Sequence, residues 1–337
     1  MKLTADAVKP YITGCMALPT EADGAILLQR FLEDQREGHE DDRAIRMRTY
    51  TAAGATVDLH TDSDIFRLTV DGRRLKSMAF AVADLFVDGV LVAQEKIPFG
   101  APCAGPMEYV PFDPYTIELS LPEGEHRVTV VFESETPYRV VSLELSDGAS
   151  HRVHDYKYTW MAFGDSITYG CTPEVPSASY ALSTARLLDA KLYNHGIGGE
   201  EYRDTKVIPG TYPACDFVTV AYGTNDYVSY TLEQHLHHMG TFLKKISESF
   251  PEKPVFVLLP LWRKKQTVLH HDITLPQVRD AIRAEAAKYP NFHVIDCQNF
   301  VPPMRDFFCE DICVHPNVLG ASLYAQNLHK IITEVLL

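Results

Sequence analysis

The fold is decided by residues 158–170, which read Tyr-Thr-Trp-Met-Ala-Phe-Gly-Asp-Ser-Ile-Thr-Tyr-Gly. The first six form a short apolar run of the kind that makes a buried strand. Gly164 and Gly170 then flank Ser166, and glycine permits the sharp turn that exposes a serine hydroxyl at the start of a helix. Backbone NH groups at a helix start point at any developing anion, so Ser166 occupies the position of a nucleophile. Gly-Asp-Ser is also a common turn tripeptide, so other elements must support this interpretation.

The chain after about Asp155 alternates between strand and helix patterns. Further strands are predicted at 191–194, 216–222, 255–260 and 292–295, and helices at 180–190, from 232, at 276–288 and from about 319. Capping boxes at Thr231 and Thr274 indicate two of the helix starts. Because crossovers between parallel strands are right-handed, this order predicts a flavodoxin-like, doubly wound α/β fold with helices on both faces of a parallel sheet. Ligands bind such sheets at the carboxyl ends of the strands.

The preceding region, from about Thr51 to Leu145, has a period-two pattern instead. Apolar residues alternate with polar ones in residues 117–121 and 128–132, and Pro122-Glu123-Gly124 stands between the two runs. This arrangement predicts a hairpin. No helical pattern interrupts these strands, so the predicted product is an all-β sandwich of jelly-roll type.

Two dipeptides and one charged segment bear on the same half of the chain. Asp71-Gly72 and Asp88-Gly89 tolerate positive φ and predict two-residue turns. Residues 33–46 contain nine charged side chains among fourteen, which predicts a solvated loop or surface helix rather than a binding patch. The predicted domains are a jelly-roll-like accessory domain, residues 1–154, and an α/β domain, residues 155–337.

Three further motifs follow the predicted strands in order. Asn194-His195-Gly196-Ile197-Gly198-Gly199 follows the second parallel strand, and a glycine there lets the main chain approach a substrate closely. Gly223-Thr224-Asn225-Asp226 follows the third strand and offers a side-chain amide to an oxyanion. His315, in Val314-His315-Pro316-Asn317, precedes the last helix and is a candidate base. Together with Ser166 these motifs supply a nucleophile, a base and hydrogen-bond donors, which are the requirements of acyl transfer.

At this point the sequence, over about residues 157–337, resembles the SGNH, or GDSL, hydrolase family of esterases and acylhydrolases. The resemblance implies the SGNH hydrolase fold, with Ser166 as the nucleophile and His315 as the general base. It also implies an oxyanion hole formed by the NH of Ser166, the NH of Gly199 and the side chain of Asn225. The β-rich region before it resembles the jelly-roll module that precedes the catalytic domain in some carbohydrate esterases of this family.

One position departs from the family pattern. The family usually places its acid three residues before the histidine, where this chain has Ile312. Asp311 stands four before His315, and a one-residue bulge would bring it to the far ring nitrogen, where it would stabilise the imidazolium. The alternatives are a Ser-His dyad, with a backbone carbonyl orienting the ring, and Glu310 as the acid.

The charge of the chain limits its partners. Lys and Arg number 31 and Asp and Glu 45, a formal net charge of −14. Such a charge repels a nucleic-acid backbone and an anionic membrane, so neither is an expected partner. The longest apolar run, Pro254–Trp262, has nine residues, against the roughly 18 that a membrane helix needs. The start of the chain, Met1-Lys2-Leu3-Thr4-Ala5-Asp6, contains no apolar signal-peptide core, which predicts a cytoplasmic location.

The cysteine and histidine content argues against disulfides and metal. Seven scattered cysteines are an odd number in a long chain and predict reduced thiols. Two sets of residues invite a zinc interpretation, but neither has a recognised ligand spacing with a second pair. These sets are Cys309 and Cys313 beside His315, and His235, His237 and His238. No metal and no cofactor are therefore expected.

The motifs together predict a serine esterase that removes a small acyl group, such as acetyl, from an alcohol such as a sugar. The first alternative is an acyltransferase that passes the same acyl group to another alcohol or amine. The second is a carbohydrate-binding protein whose catalytic domain is idle. The expected partner is a small-molecule or carbohydrate ester, and a homo-oligomer stays open because the sandwich is able to pack across a second copy.

Four other residues near the motifs have ordinary structural interpretations. Asp165 and Asp226 are expected to hold turns by accepting hydrogen bonds from nearby NH groups rather than to move protons. Trp262 and Arg263 follow the fourth parallel strand at the active edge of the sheet. For these two residues, contact with substrate and ordinary packing are equally open interpretations.

Overall fold

The computed structural model describes residues 1–37, 42–102, 108–171, 175–203, 205, 207–309 and 314–336. The chain divides into two compact units. The first comprises Met1–Leu32, Met47–Tyr156 and Pro173–Ser177. The second comprises Glu33–Arg46, Lys157–Thr172 and Ala178–Leu337.

The first unit is built from antiparallel strands. Its described residues form β1 (Ile12–Thr13), β2 (Ile26–Leu27), β3 (Thr56–Thr61), β4 (Ile65–Leu75), β5 (Phe80–Val87), β6 (Val90–Pro98), β7 (Tyr109–Ser120), β8 (His126–Phe132), β9 (Tyr138–Leu145) and β10 (His151–Val153). One sheet has the order β1-β3-β8-β5-β6, with β10 also paired to β3, and the other has the order β2-β9-β4-β7. A short helix, α1 (Ala5–Val8), precedes β1.

The two sheets share one hydrophobic core. Buried side chains from the first sheet, such as Val57 and Leu85, belong to the same cluster as Leu68 and Leu143 from the second. Alternate residues of β3, β4, β5 and β8 belong to this cluster, as the period-two pattern requires. The predicted all-β sandwich is therefore confirmed.

The hairpin predicted around Pro122-Glu123-Gly124 is wrong. β7 pairs with β4, whereas β8 pairs with β3 and β5, so the two runs belong to different sheets. At the end of β7 the NH of Leu121 donates to the carbonyl oxygen of Asp64 instead. Alternation identifies which face of a strand is buried, but it does not identify the neighbouring strand. β7 and β8 lie in different sheets, and both contribute side chains to the same core.

The two Asp-Gly dipeptides have different outcomes. Asp88-Gly89 forms the predicted two-residue turn, with φ of 50° and 79° and with Val87 paired to Val90. The turn predicted at Asp71-Gly72 is wrong, because both residues lie inside β4 at a break in strand register. A Cβ atom at Gly72 would stand 2.1 Å from the carbonyl oxygen of Pro137, so this glycine permits a close approach of two backbones.

Residues 33–46 are less solvated than their charge predicts. They contain α2 (Glu33–Glu37) and the start of α3 (Arg43–Arg48). Gln35 and Arg36 are buried, and the side-chain nitrogen of Gln35 donates to the Thr211 hydroxyl at 3.1 Å. The expectation of a solvated segment is thus wrong at these two residues, because polar side chains with hydrogen-bond partners tolerate burial.

The second unit contains a five-stranded sheet in which all strands are parallel. Its strands are β11 (Tyr158–Gly164), β12 (Ala190–Gly196), β13 (Phe217–Ala221), β14 (Val255–Leu258) and β15 (Phe292–Ile295), in the order β12-β11-β13-β14-β15. Its helices are α4 (Ser166–Tyr169), α5 (Tyr180–Leu188), α6 (Asp226–Ser229), α7 (Leu232–Ser249), α8 (Leu275–Ala286) and α9 (Val318–Leu336). This strand order confirms the flavodoxin-like α/β fold.

Packing around this sheet locates the binding edge. α5 packs with α9, and α7 packs with α8, so the helices form two layers. The chain leaves β11 toward β12 and then crosses back to β13, which makes the carboxyl ends of β11 and β13 the switch point where ligands bind in such folds. None of the helices in the described part of the chain combines the length and apolar character that a membrane span requires.

Candidate active site

Ser166 is placed by the turn between β11 and α4. Gly164 is required there because an added Cβ would stand 2.1 Å from the Thr168 hydroxyl oxygen. The carboxylate of Asp165 caps α4 by accepting a hydrogen bond from the NH of Ile167 at 2.9 Å. Gly170 ends the helix in the left-handed region, with φ of 89°. These constraints present Ser166 as the first residue of α4.

His315 lies directly against this serine. Its Nε2 atom is 2.6 Å from the Ser166 hydroxyl oxygen, a distance at which the hydroxyl donates to an unprotonated ring nitrogen. The main chain of His315 is held in turn, since its carbonyl oxygen accepts from the NH of Cys309 at 2.8 Å. Residues 149 positions apart in the chain are thus in direct contact.

The segment after His315 is locked to the start of α9. The NH of Asn317 donates to the carbonyl oxygen of Phe307 at 3.0 Å, and its side-chain nitrogen donates to that of Asp306 at 2.8 Å. The side-chain oxygen of Asn317 accepts from the NH of Gly320 at 3.1 Å. Gly320 is necessary here, because an added Cβ would stand 2.2 Å from the Phe307 carbonyl oxygen.

The motif after β12 reaches the same edge of the sheet. The side-chain nitrogen of Asn194 donates to the carbonyl oxygen of Thr168 at 2.8 Å, which ties β12 to α4. The NH of Ile197 donates to the carbonyl oxygen of Gly164 at 3.0 Å. Gly199 itself is exposed, has φ of 85°, and has no atom within 4 Å of where a Cβ would stand. Its main chain therefore borders open space beside the Ser166 turn.

Asn225 joins this motif to the one that follows β13. It precedes α6, and its side-chain nitrogen donates to the carbonyl oxygen of Glu200 at 2.8 Å. An amide nitrogen carries two hydrogens, so this bond leaves a second donor on Asn225. The loops bearing Gly199 and Asn225 are in this way fixed to each other at the carboxyl edge of the sheet.

The candidate acids are not placed. Asp311 and Glu310, together with Ile312 and Cys313, lie outside the described residues. The described residues show the contact of the His315 ring with Ser166, through Nε2. The choice between a triad and a dyad therefore rests on the sequence.

Two buried carboxyl groups lie below these loops. Asp226 accepts hydrogen bonds from the NH of Tyr202 and from Nδ1 of His235, both at 3.2 Å. Burial raises the pKa of Asp165 to about 7, and the negative charge of Asp226 adds to this rise. The hydrogen bond from Ile167 and the positive charge of Arg263 favour the carboxylate of Asp165 and act in the opposite direction. Both aspartates hold loops, as the sequence predicts.

The histidines that invited a zinc interpretation have other surroundings. His235 is buried and pairs with Asp226, and the His238 ring stacks on Tyr230 at 4.9 Å. The described ranges contain no group of three or more His, Cys, Asp or Glu side chains placed to hold a metal ion.

A small cavity opens at the Ser166–His315 pair. Ile167, Tyr180 and Ala321 supply much of its apolar lining. Its empty volume is about 280 Å³, part of which is open solvent.

Trp262 and Arg263 contact other loops of the site. The Trp262 ring contacts Phe308, with ring centroids 5.7 Å apart, and so packs against the segment that leads to His315. Arg263 donates to the carbonyl and hydroxyl oxygens of Thr224, at 2.9 and 3.1 Å. Both side chains therefore pack on loops of the site, while contact with substrate, the other interpretation of the sequence, stays a prediction.

Comparison with known proteins gives a family match for part of the second unit. The sequence profile of the GDSL-like lipase/acylhydrolase family matches residues 162–323, a segment that contains Ser166, Gly199, Asn225 and His315. Among curated proteins, none matches this chain.

Solved structures with the same fold cover nearly the full chain. The salicylyl-acyltransferase SsfX3 from a tetracycline biosynthetic pathway has a TM-score of 0.79 and 18% identity, covering 96% of this chain and 94% of that one. The acetyl xylan esterase Est2A from the rumen bacterium Butyrivibrio proteoclasticus has a TM-score of 0.68 and 13% identity, covering 100% and 98%. A family two carbohydrate esterase from Clostridium thermocellum, in complex with cellohexaose, has a TM-score of 0.63 and 15% identity, covering 84% and 93%.

At these identities the structural likeness shows the fold. Over residues 162–323, in its second unit, the chain is similar to the GDSL-like lipase/acylhydrolase family.

Proposed function

We propose that this protein is a serine esterase that cleaves small acyl esters through an acyl-enzyme. The observation that carries the proposal is the 2.6 Å distance between the Ser166 hydroxyl oxygen and Nε2 of His315. A nucleophile and a base at this separation, at the switch point of a parallel sheet, meet the geometric requirement for nucleophilic catalysis.

In the proposed reaction Ser166 attacks the ester carbonyl while Nε2 of His315 takes the hydroxyl proton. The tetrahedral intermediate collapses when His315 gives that proton to the leaving alcohol, and the acyl group stays on Ser166. Water then attacks the acyl-enzyme with His315 as the base, and His315 returns that proton to the Ser166 oxygen as the free acid leaves. Acylation and deacylation both use the Ser166 oxygen and Nε2 of His315, so the one contact between these atoms serves both reactions.

The oxyanion of each intermediate needs donors that are already in place. We assign this role to the NH of Ser166, the NH of Gly199 and the second N–H of the Asn225 amide. The first lies at the start of α4, where backbone NH groups and the helix dipole favour negative charge. The hydrogen bond from Asn225 to Glu200 supports the assignment, because a donor fixed in advance costs no reorganisation during the reaction.

Asp311 is proposed as the acid that orients His315, with a Ser-His dyad as the alternative. The hydrogen bond from Cys309 to the His315 carbonyl fixes the main chain at the end of the segment that contains Asp311. A carboxylate at the far ring nitrogen would hold the tautomer in which Nε2 accepts the proton.

The substrate is proposed to be an ester of a small acid such as acetic acid, with a sugar as one candidate alcohol. The depression at Ser166 and His315 is small, which favours a short acyl or alcohol group there. The fold shared with an acetyl xylan esterase and a family two carbohydrate esterase agrees with this substrate class. The formal net charge of −14 favours an uncharged ester over an anionic polymer. A cytoplasmic location and self-association stay predictions.

An acyltransferase is the second candidate function. The same fold occurs in a salicylyl-acyltransferase, and the acyl-enzyme of the proposed mechanism is common to both reactions. Product analysis separates them: with candidate alcohols and amines present, an esterase releases the free acid, whereas a transferase forms the new ester or amide. p-Nitrophenyl esters of graded chain length and acetylated sugars provide the acyl donors.

A fluorophosphonate probe tests the proposal against a carbohydrate-binding protein with an idle catalytic domain. Attack by the Ser166 oxygen on phosphorus expels fluoride, and His315 takes the hydroxyl proton. We expect peptide mapping by mass spectrometry to find the adduct on Ser166, and no adduct on that peptide in His315→Ala. An unlabelled Ser166 in the folded parent would support the binding protein instead.

A further inference from the structure

We propose that Arg263 is a positioning residue for the oxyanion hole, which fixes the loop that carries Asn225. The inference rests on the proposed function, since it assigns a role to the same site. Arg263 lies outside the four motifs, on the loop that follows β14.

The contacts of Arg263 enclose Asn225 from both sides in the chain. One of its terminal nitrogens, Nη1, donates to the carbonyl oxygen of Thr224 at 2.9 Å and to the hydroxyl oxygen at 3.1 Å. Its guanidinium carbon lies 5.3 Å from the centroid of the Tyr227 ring, within the range of a cation–π contact. The residue before Asn225 and the second residue after it are thus held by one side chain.

Asn225 depends on contacts from other elements, because its side chain makes no capping bond to α6. Gly223, two residues earlier, is closely packed, since an added Cβ there would stand 2.8 Å from Pro260 and 3.0 Å from Ile282. The conformation of the β13–α6 connection is thus set by the elements that pack on it. An oxyanion donor is effective only when it stands in place before charge develops.

Arg263 is itself anchored to the body of the unit. Arg279, buried on α8, donates to the carbonyl oxygens of Pro260 and Leu261 at 2.8 and 2.7 Å. The Tyr227 hydroxyl oxygen lies 2.9 Å from the carbonyl oxygen of Lys265, which closes the loop on its other side. The loop of Arg263 is therefore fixed to α8 and to α6, and it transmits that rigidity to Thr224.

The charge of Arg263 acts on the serine turn as well. Its positive charge lowers the pKa of the buried Asp165, against the rise that burial and Asp226 produce. Asp165 caps the helix that starts at Ser166, so we expect this second effect of the guanidinium in the stability of that turn rather than in kcat. A lysine has a point charge and lacks the planar fork that lets arginine bond and stack at once.

Arg263→Met tests the proposal, because it keeps an unbranched apolar stem and removes the donors and charge of the guanidinium. We expect kcat for a p-nitrophenyl ester to fall by about ten- to a hundredfold and KM to change by less than about threefold. The loss in kcat should be smaller than the loss on removal of an oxyanion donor, because Asn225 is displaced but still present. Lys264→Met, at an exposed position one residue further along the same loop, is the matched control and keeps the parent kcat. A rise in KM with unchanged kcat would overturn the proposal, because it would indicate substrate binding.

A double-mutant cycle separates positioning from a general loss of stability. If Arg263 acts through Asn225, Arg263→Met lowers kcat by less than about twofold in an Asn225→Ala background, since the donor it positions is gone. Full, multiplying losses in the double variant would contradict the proposal. Arg263→Lys, expected to recover part of the lost kcat, takes the place of Arg263→Met in the cycle if the latter does not fold.

The same series separates the failure of this inference from the failure of the proposed function. Ser166→Ala is measured beside the cycle. Parent activity in Ser166→Ala would overturn the proposed function and the inference with it. An inactive Ser166→Ala with multiplying losses at Arg263 and Asn225 would overturn the inference alone.

Discussion

The side-chain nitrogen of Asn225 donates to the carbonyl oxygen of Glu200 at 2.8 Å and so connects the loops that follow the two strands flanking β11. β12 and β13 both pair with β11, one on each side. The loops beyond them therefore converge over the end of β11, where Ser166 begins α4. A bond across this convergence holds the proposed oxyanion donors at a fixed separation.

Asn225→Ala should lower kcat by about a hundred- to a thousandfold with little change in KM, because it removes one oxyanion donor and the bond that orients its loop. Steady-state kinetics on a p-nitrophenyl ester measure the effect. Asn327→Ala is a matched control, since the Asn327 amide also donates to a main-chain carbonyl, that of Phe300, but on α9. A kcat for Asn225→Ala within a few fold of the parent would remove Asn225 from the site.

Local signals allowed much of the second unit to be predicted. The strand–turn–helix at Ser166 depends on residues within a few positions of one another, and its glycines prove necessary for steric reasons that act over the same short range. The order of strands and helices then determines the sheet, because right-handed crossovers leave few topologies open. The approach of His315 to Ser166 follows from that topology.

Two wrong predictions, the hairpin after β7 and the turn at Asp71-Gly72, concern contacts between residues that are far apart in the sequence. The partner of β8 is set by packing between two sheets, and the alternation of residues 117–121 and 128–132 contains no information on it. The need for Gly72 comes from the backbone of Pro137, 65 positions away, which a dipeptide rule cannot include. The role of Arg263 also depends on a distant loop, so its sequence context left contact with substrate and packing equally open.

Asp165→Asn should remove a pH dependence of stability. The pKa of Asp165 is about 7 in the folded protein against an ordinary value of 3.8, so the folded state binds this proton more tightly than the unfolded state does. Its stabilising contribution is complete below about pH 3.8 and is lost as the pH rises through about 7. Asparagine caps a helix as well as aspartate and does not ionise.

The measurement is the free energy of unfolding in urea between pH 5 and pH 8, for Asp165→Asn and for the parent. The difference between the two proteins should grow in favour of the variant as the pH rises, by up to a few kcal/mol at about 1.4 kcal/mol per pKa unit. The comparison cancels the other buried acids, which both proteins share. A difference that does not change with pH would contradict the raised pKa.

Gly320→Ala and Gly240→Ala should shift stability in opposite directions although both lie in helices. At Gly320 the new Cβ would stand 2.2 Å from the Phe307 carbonyl oxygen, so the segment holding His315 must move. We expect a loss of about 1–3 kcal/mol in stability together with a lower kcat. At Gly240 the nearest atom is 3.8 Å away, and alanine should add up to about 1 kcal/mol through its helix propensity. Thermal unfolding checks both, and equal shifts would show that the contact at Phe307 is unimportant.

Asp311→Asn distinguishes a catalytic triad from a dyad. If the Asp311 carboxylate holds the His315 tautomer, kcat of Asp311→Asn should fall by several thousandfold. If the enzyme uses a Ser-His dyad, kcat of this variant should fall by about tenfold or less. Asp306→Asn is the control, since the Asp306 carbonyl but not its side chain bonds to Asn317. A loss near tenfold would leave the dyad, and a large loss for Glu310→Gln would move the acid to that position.

The central claim is that the Ser166 hydroxyl attacks the ester, and the turnover of Ser166→Ala tests it most directly. Ser249→Ala, whose hydroxyl bonds to a main-chain carbonyl at the end of α7, is the control and should keep the parent rate. We expect Ser166→Ala to lose at least about a thousandfold in kcat on every ester that the parent cleaves, with its thermal unfolding unchanged. A folded Ser166→Ala that hydrolyses those esters within a few fold of the parent would contradict the account.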